Sequence, residues 1–257
     1  MSNIIQKLGW RRPLPSPKLF KFAAPHGMAL PAMMDLQPLC PPVYDQGNLG
    51  SCTSNASGAL CAFVMKKTGR TWFMPSRLAL YYWTRVVENS VNYDAGASIQ
   101  NAVAVCHTKG VPHESMWWYN VNKFAVKPNA SIVADAAKYK TSQPLAINHF
   151  SLNDMQSSIA QGFPFTFGFT VYESFEKGNW DRTTGMMPMP KAGEQVLGGH
   201  AVLAVGYDNA KQAFKIRNSW GTGWGQKGYF WMPYSFIMSH DFADDFWTIH
   251  SYDVWPK

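Results

Sequence analysis

Between residues 51 and 67, Ala56, Ala59, Leu60, Phe63 and Val64 recur at helical spacing, with Lys66 and Lys67 near the end and Gly69 as a stop. That pattern predicts a helix with a wide apolar face, buried between lobes. Segments 75–87, rich in Leu, Tyr and Trp, and 99–108 also read as helices, giving a largely helical part that ends near residue 140. The period then changes. Runs 164–171, 200–207, 214–218 and 228–232 are short, rich in branched and aromatic side chains, and separated by Gly, Asn and Pro turns; they predict β-strands. A helical lobe followed by an antiparallel sheet or barrel makes an α+β chain, and the cleft between two such lobes is the natural place for a site.

Composition narrows the class of function. The 257 residues are 46% hydrophobic and 15% aromatic, enough for one sizeable core or two lobes sharing an interface. The net charge is +7, but Lys18, Lys21, Lys66, Lys67, Lys138 and Lys140 are scattered, which fits a solvated surface and not a nucleic-acid groove. The acids Asp241, Asp244 and Asp245 read as a polar loop or strand edge. No window is apolar for long enough to cross a bilayer. Of four cysteines, Cys40, Cys52, Cys61 and Cys106, at most one disulfide could form, and Cys61 and Cys106 sit in apolar runs as buried free thiols. There is no Cys-x-x-Cys or His-Glu-x-x-His, and His26, His107, His113, His149, His240 and His250 form no close cluster along the chain, so neither metal nor cofactor is expected.

Chemistry gathers at three places. Cys52 ends the loop Asp45-Gln46-Gly47-Asn48-Leu49-Gly50-Ser51 and opens the first helix, where free backbone N–H groups and the helix dipole favour a thiolate. A nucleophilic cysteine needs a histidine to exchange its proton and a third group to orient that imidazole. His200, in Gly198-Gly199-His200-Ala201-Val202, and Asn218, in Asn218-Ser219-Trp220-Gly221, lie on two strand-like runs joined by the turn Tyr207-Asp208-Asn209-Ala210-Lys211-Gln212. A hairpin would set them side by side.

These three segments, in this order, resemble the papain family (C1) of cysteine peptidases, and the similarity runs from about Leu30 to the C-terminus. The resemblance implies a two-lobe papain-like fold, with a helical lobe over about 46–140 and an antiparallel β-barrel-like lobe over about 141–250 plus 30–45. It further implies Cys52 as nucleophile, His200 as its proton partner, Asn218 as the group orienting His200, and Gln46 as an oxyanion donor with the Cys52 amide. Trp220 would shield the His–Asn pair and border the substrate. Gly96 and Ala97 would hold the substrate backbone, while Gly168 and Gly199, with Gly198, would leave a roomy pocket that Phe167 or Phe169 would suit to a bulky apolar side chain. Two positions depart from the family pattern: Leu49 stands where a disulfide cysteine is usual, and Thr53 where the family has tryptophan.

The expected activity is hydrolysis of peptide bonds in peptide or protein substrates by a monomer with no membrane or nucleic-acid partner. Alternatives with the same residues are an acyl transferase of transglutaminase or ligase type, or an inactive binding module. Residues 1–29 fall outside the similarity and read as a Pro- and Lys-rich extension, a latch over the cleft, a packed extension or a remnant. With no export signal visible, the default compartment is cytoplasmic, or secreted, vacuolar or lysosomal for a processed chain.

Overall fold

The structure, a computed structural model, describes residues 7–14, 19–176 and 183–256; Lys18, one of the scattered basic residues, lies outside them. After strand β1 (Met33–Asp35) the chain enters α1 (Cys52–Lys67), α2 (Arg77–Val87) and α3 (Ile99–Thr108), close to the segments that the apolar spacing marks. Ser76 and Ser98 cap α2 and α3 by accepting from Ala79 N and Asn101 N, the usual way to satisfy a free amide of the first turn. Helix α1 is buried on every side from Cys52 to Met65. Its polar Thr53, Ser54, Asn55 and Ser57 are interior as well, because it lies in the seam between α2 and α3 on one flank and the sheet on the other. Short α4 (Ala130–Ala136) completes the helical side.

The sheet side starts with β2 (Lys140–Thr141) and β3 (Leu145–Ala146), and continues through α5 (Leu152–Ala160) to β4 (Phe165–Tyr172), β5 (Val196–Asp208), β6 (Ala213–Arg217), β7 (Tyr229–Pro233), β8 (Ala243–Thr248) and β9 (Tyr252–Val254). The main sheet runs β3-β8-β4-β5-β6-β7, with β1 added to β5, and β2 pairs with β9 separately. All these pairings are antiparallel. The expected antiparallel sheet is present; it is open among the described residues and not a closed barrel, because its terminal strands β3 and β7 do not pair with each other. Strand β4 shows why a core forms on one face: Phe165, Phe167 and Phe169 alternate inward onto Phe214, Phe246, Phe175 and Phe230.

Two features differ from the reading of the sequence. Helix α5 stands within the β half, held by the Ser151 cap and by Gln156 bonded to Asn209 and Tyr234. The acids near the C-terminus belong partly to strand β8, in which Asp245 adopts φ 65° and is buried. That left-handed residue, beside a register shift between β4 and β8, turns the carboxylate inward. The four cysteines are free thiols, with Cys52, Cys61 and Cys106 buried.

Candidate active site

Strand β5 carries His200 and the stretch after β6 carries Asn218, the β5–β6 hairpin pairing Leu203 with Arg217. The imidazole Nε2 lies 2.7 Å from Asn218 Oδ1. That oxygen also accepts from Ser219 N at 2.8 Å, which fixes the amide orientation. The Trp220 ring lies 4.6 Å from the His200 ring, centroid to centroid, and also packs against the rings of Phe175 and Trp224. A water-excluded hydrogen bond is electrostatically stronger than a wet one. His200 Nδ1, the other ring nitrogen, has no hydrogen-bond partner among the described residues.

Cys52 opens α1 at the foot of β5. Amides of Ala201, next to His200, and of Gly9 and Thr53 approach its sulfur. Burial dominates all the same, pushing the Cys52 thiol up to about 11. Burial likewise lowers His200 to about 4, against the opposing pull of its bond to Asn218. Both groups are therefore neutral at ordinary pH in this closed arrangement.

Gln46 ties the two sides of the site together. Its Oε1 accepts from the Ser219 hydroxyl at 2.7 Å and its backbone N–H donates to Ser219 O at 2.9 Å. The amide is thereby oriented with Nε2 toward the cleft, where it donates to Leu49 O and Lys7 O, each at 2.9 Å. Below it, Arg77 is clamped by Glu114 at 2.9 and 2.6 Å and by Asn55 Oδ1 at 3.1 Å, and lies between the rings of Tyr44 and Tyr119.

The cleft is filled by the chain's own residues 7–12. Lys7 Nζ pairs with Asp94 at 2.6 Å. Gly9 N and Trp10 N donate to Gly199 O at 3.0 and 2.9 Å; Ala97 N donates to Gly9 O at 2.8 Å and Arg11 N to Ala97 O at 3.0 Å. The segment thus lies parallel to residue 97, anchored on the backbone of Ala97 and Gly199. Close approach demands glycine along this contact, as two positions show. A Cβ on Gly168 would lie 1.9 Å from the Trp10 indole, and one on Gly96, whose φ is 69°, would lie 1.9 Å from Gly9 O. Farther along, Phe22 N donates to Ala146 O and Ala146 N to Phe20 O, both at 2.8 Å, which lays residues 20–22 along strand β3.

Trp10 lies over Gly168, and its Nε1 donates to Asp245 Oδ2 at 3.1 Å. The same carboxylate accepts from Ile99 N at 2.7 Å, Gln100 N at 3.0 Å and Trp247 Nε1 at 2.6 Å. Burial raises Asp245 to about 6 in spite of those four donors. Sequence reading did not single out Asp245 as a site residue, because its run Ala243-Asp244-Asp245-Phe246-Trp247-Thr248 has no apolar–polar alternation to mark an inward carboxylate. Phe167 and Phe169 do not line this pocket. Both are fully buried in the core, on the face of β4 opposite Gly168.

The profile of the family described as "Papain family cysteine protease" matches residues 30–240. The chain is 40% identical over 213 residues to an uncharacterized peptidase C1-like protein of Acanthamoeba polyphaga mimivirus, covering 80% of this chain and 68% of that protein. It is 30% identical over 207 residues to pro-cathepsin H of Bos taurus, covering 74% of this chain but 55% of the bovine protein. In structure it is similar to xylellain, a cysteine protease from Xylella fastidiosa, with TM-score 0.90 and 36% identity over 95% of this chain and 96% of that one. With this coverage and a papain-like arrangement of helices and antiparallel sheet, the chain belongs to the papain family of cysteine proteases, which are hydrolases.

Proposed function

We propose that the chain is a cysteine endopeptidase working through Cys52, His200 and Asn218, and that residues 7–12 hold it shut. The Cys52 thiolate adds to the scissile carbonyl, and the oxyanion so formed receives hydrogen bonds from Gln46 Nε2 and the Cys52 amide. Collapse expels the amine, which takes the proton held by His200 and leaves a thioester. Water, deprotonated by His200, then adds to the thioester, and the acid departs as the thiol is regenerated. Asn218 holds the imidazole in the required tautomer throughout.

One observation supports this reading above the others: Gln46 Nε2 already holds a peptide carbonyl, that of Lys7, 2.9 Å away, beside the His200–Asn218 pair. A donor fixed before the reaction costs little reorganisation when charge develops. The pocket under Trp10 reads as the one receiving the side chain two residues before the cut. Its occupant argues for a bulky aromatic side chain there, and the Asp245 carboxylate at its floor for one that also carries a hydrogen-bond donor.

Digestion of a mixed peptide library by three proteins, followed by mass spectrometry, tests both halves. These are the full chain, a chain starting at Leu30, and that shorter chain with Cys52→Ala. New amino termini from the shorter chain, fewer from the full chain and none from the variant are expected. Incorporation of added amine in place of cleavage would move the assignment to a transferase, and equal rates for the two unsubstituted proteins would remove the shutting role of residues 7–12.

A further inference from the structure

On the sheet side, three side chains from two separate stretches meet. His149 follows β3, His240 precedes β8 and Asp244 lies in β8. The imidazoles stack with centroids 5.0 Å apart and planes 18° from parallel. One ligand atom from each of the three residues lies within 4.8 Å of the others. His149 Nε2 is buried and has no hydrogen-bond partner among the described residues, a costly state for a polar atom. A cation of this chain already leans on the other two groups: Arg12 Nη1 is 3.2 Å from His240 Nε2 and 3.6 Å from Asp244 Oδ2. Arg12 Nη2 also donates to the carbonyl oxygens of His240 and Asp241.

We propose that His149, His240 and Asp244 form a binding site for a divalent transition-metal ion of the zinc type, and that this ion competes with the Arg12 guanidinium. Two imidazoles and one carboxylate are a borderline donor set that suits zinc, cobalt or nickel better than calcium or magnesium. Three protein ligands leave a fourth position for water. A tetrahedral ion with bonds of about 2.0–2.1 Å needs its ligand atoms about 3.3 Å apart, so no pair of the trio must close by more than roughly 1.5 Å. His240 is exposed and sits in a turn, which leaves it room to do so. Nearly a hundred residues separate His149 from Asp244, which is why the spacing of histidines along the chain predicts no site.

Arg12 follows Trp10, the residue seated over Gly168, by two positions. An ion on the trio would remove the Arg12 contacts and weaken the hold of residues 7–12 on the cleft. This consequence, unlike the site itself, rests on the reading of that segment given above. Calorimetric titration of zinc chloride into tag-free full-length Cys52→Ala protein tests the site without the active-site thiol as a rival ligand, and needs no activity. One ion per chain is expected, with affinity at least tenfold weaker in His240→Ala and in His149→Ala. Arg12→Ala should bind several-fold more tightly. Cobalt should give tetrahedral d–d absorption that the histidine variants lose, and unchanged circular dichroism will show that those variants are folded. No binding, or binding indifferent to both histidine changes, would overturn the site. Binding lost with the histidines but unaltered in Arg12→Ala would overturn the competition.

Discussion

The side-chain amide of Gln46 donates to the backbone carbonyl of Lys7 at 2.9 Å, so the chain's own N-terminal segment occupies the place where, on the proposed mechanism, a substrate carbonyl would be polarised. Further anchors hold the segment, among them the Lys7–Asp94 and Arg11–Glu88 ion pairs, the backbone bonds to Ala97 and Gly199, and the Trp10 indole on Asp245. Their partners come from both the helical side, at Asp94 and Ala97, and the sheet side, at Gly199 and Asp245, and the Trp10 indole packs directly on Gly168.

Trp10→Ala should therefore loosen the segment. A buried tryptophan cut to alanine typically costs about 3–5 kcal/mol, so the closed-to-open ratio of the cleft should fall by about a hundredfold or more. The full-length variant should cleave peptides at a rate close to that of the chain starting at Leu30. A variant as slow as the unsubstituted full chain would show that Trp10 is not the anchor.

Gln46→Ala, made in the chain starting at Leu30 so that the segment cannot mask the effect, should lower kcat by about 10²–10³ with KM little changed. A fall confined to KM would mean that Gln46 binds substrate without stabilising the oxyanion. Asn218→Ala should also lower kcat, through loss of the His200 orientation.

Closure of the cleft should depend on pH with a defined sign. His200 falls from 6.5 to about 4 on burial, so its contribution to the closed state is present above 6.5 and is lost as pH falls toward 4. Cys52 rises from 9.0 to about 11, so its contribution is present below 9.0 and is lost as pH climbs through 11. The segment should be most firmly seated between about 6.5 and 9. Alkylation of Cys52 in the full chain, divided at each pH by the rate in the chain starting at Leu30, should be slowest in that window; a ratio constant with pH would refute the linkage.

Asp245 works against His200 on the acid side. Its carboxyl rises from 3.8 to about 6, so its contribution is present below 3.8 and is lost as pH rises through 6, a difference of about 3 kcal/mol at most. Asp245→Asn removes that opposing slope. Stability of the variant, followed by urea denaturation from pH 7 to 4, should decline more steeply with acid than that of the unsubstituted chain; parallel curves would mean that Asp245 does not titrate in this range.

Glu114 partners the Arg77 guanidinium, which in turn holds Asn55 in α1 three residues after Cys52. Both charged side chains are buried. Glu114→Ala strands a buried cation, which typically costs about 3–5 kcal/mol, and should lower Tm by on the order of 10 °C. A scanning-calorimetry midpoint within a degree or two of the unsubstituted chain would show that the pair is not needed.

Much of this was legible along the chain because it is local. Helices α1, α2 and α3 carry apolar spacing, and α2 and α3 have capping serines just before them. Cys52, His200 and Asn218 have chemistry that few other side chains can supply, and hairpin logic alone brings the last two together. The buried place of Asp245 was hidden because the acids near it read as a polar loop or strand edge, and its inward turn depends on a left-handed backbone and on donors that include Trp10, Ile99 and Gln100 from distant segments.

The sequence by itself determined which groups can do chemistry and the order in which they occur, since residue identity and short-range periodicity require no knowledge of distant partners. Only the tertiary structure decided that residues 7–12 fill the cleft, that Asp245 floors the pocket under Trp10, and that His149 meets His240 and Asp244. Each of those contacts joins residues scores to hundreds of positions apart. Such pairings are selected by packing and by the satisfaction of buried polar groups, which leave no mark on the neighbours of any one of them.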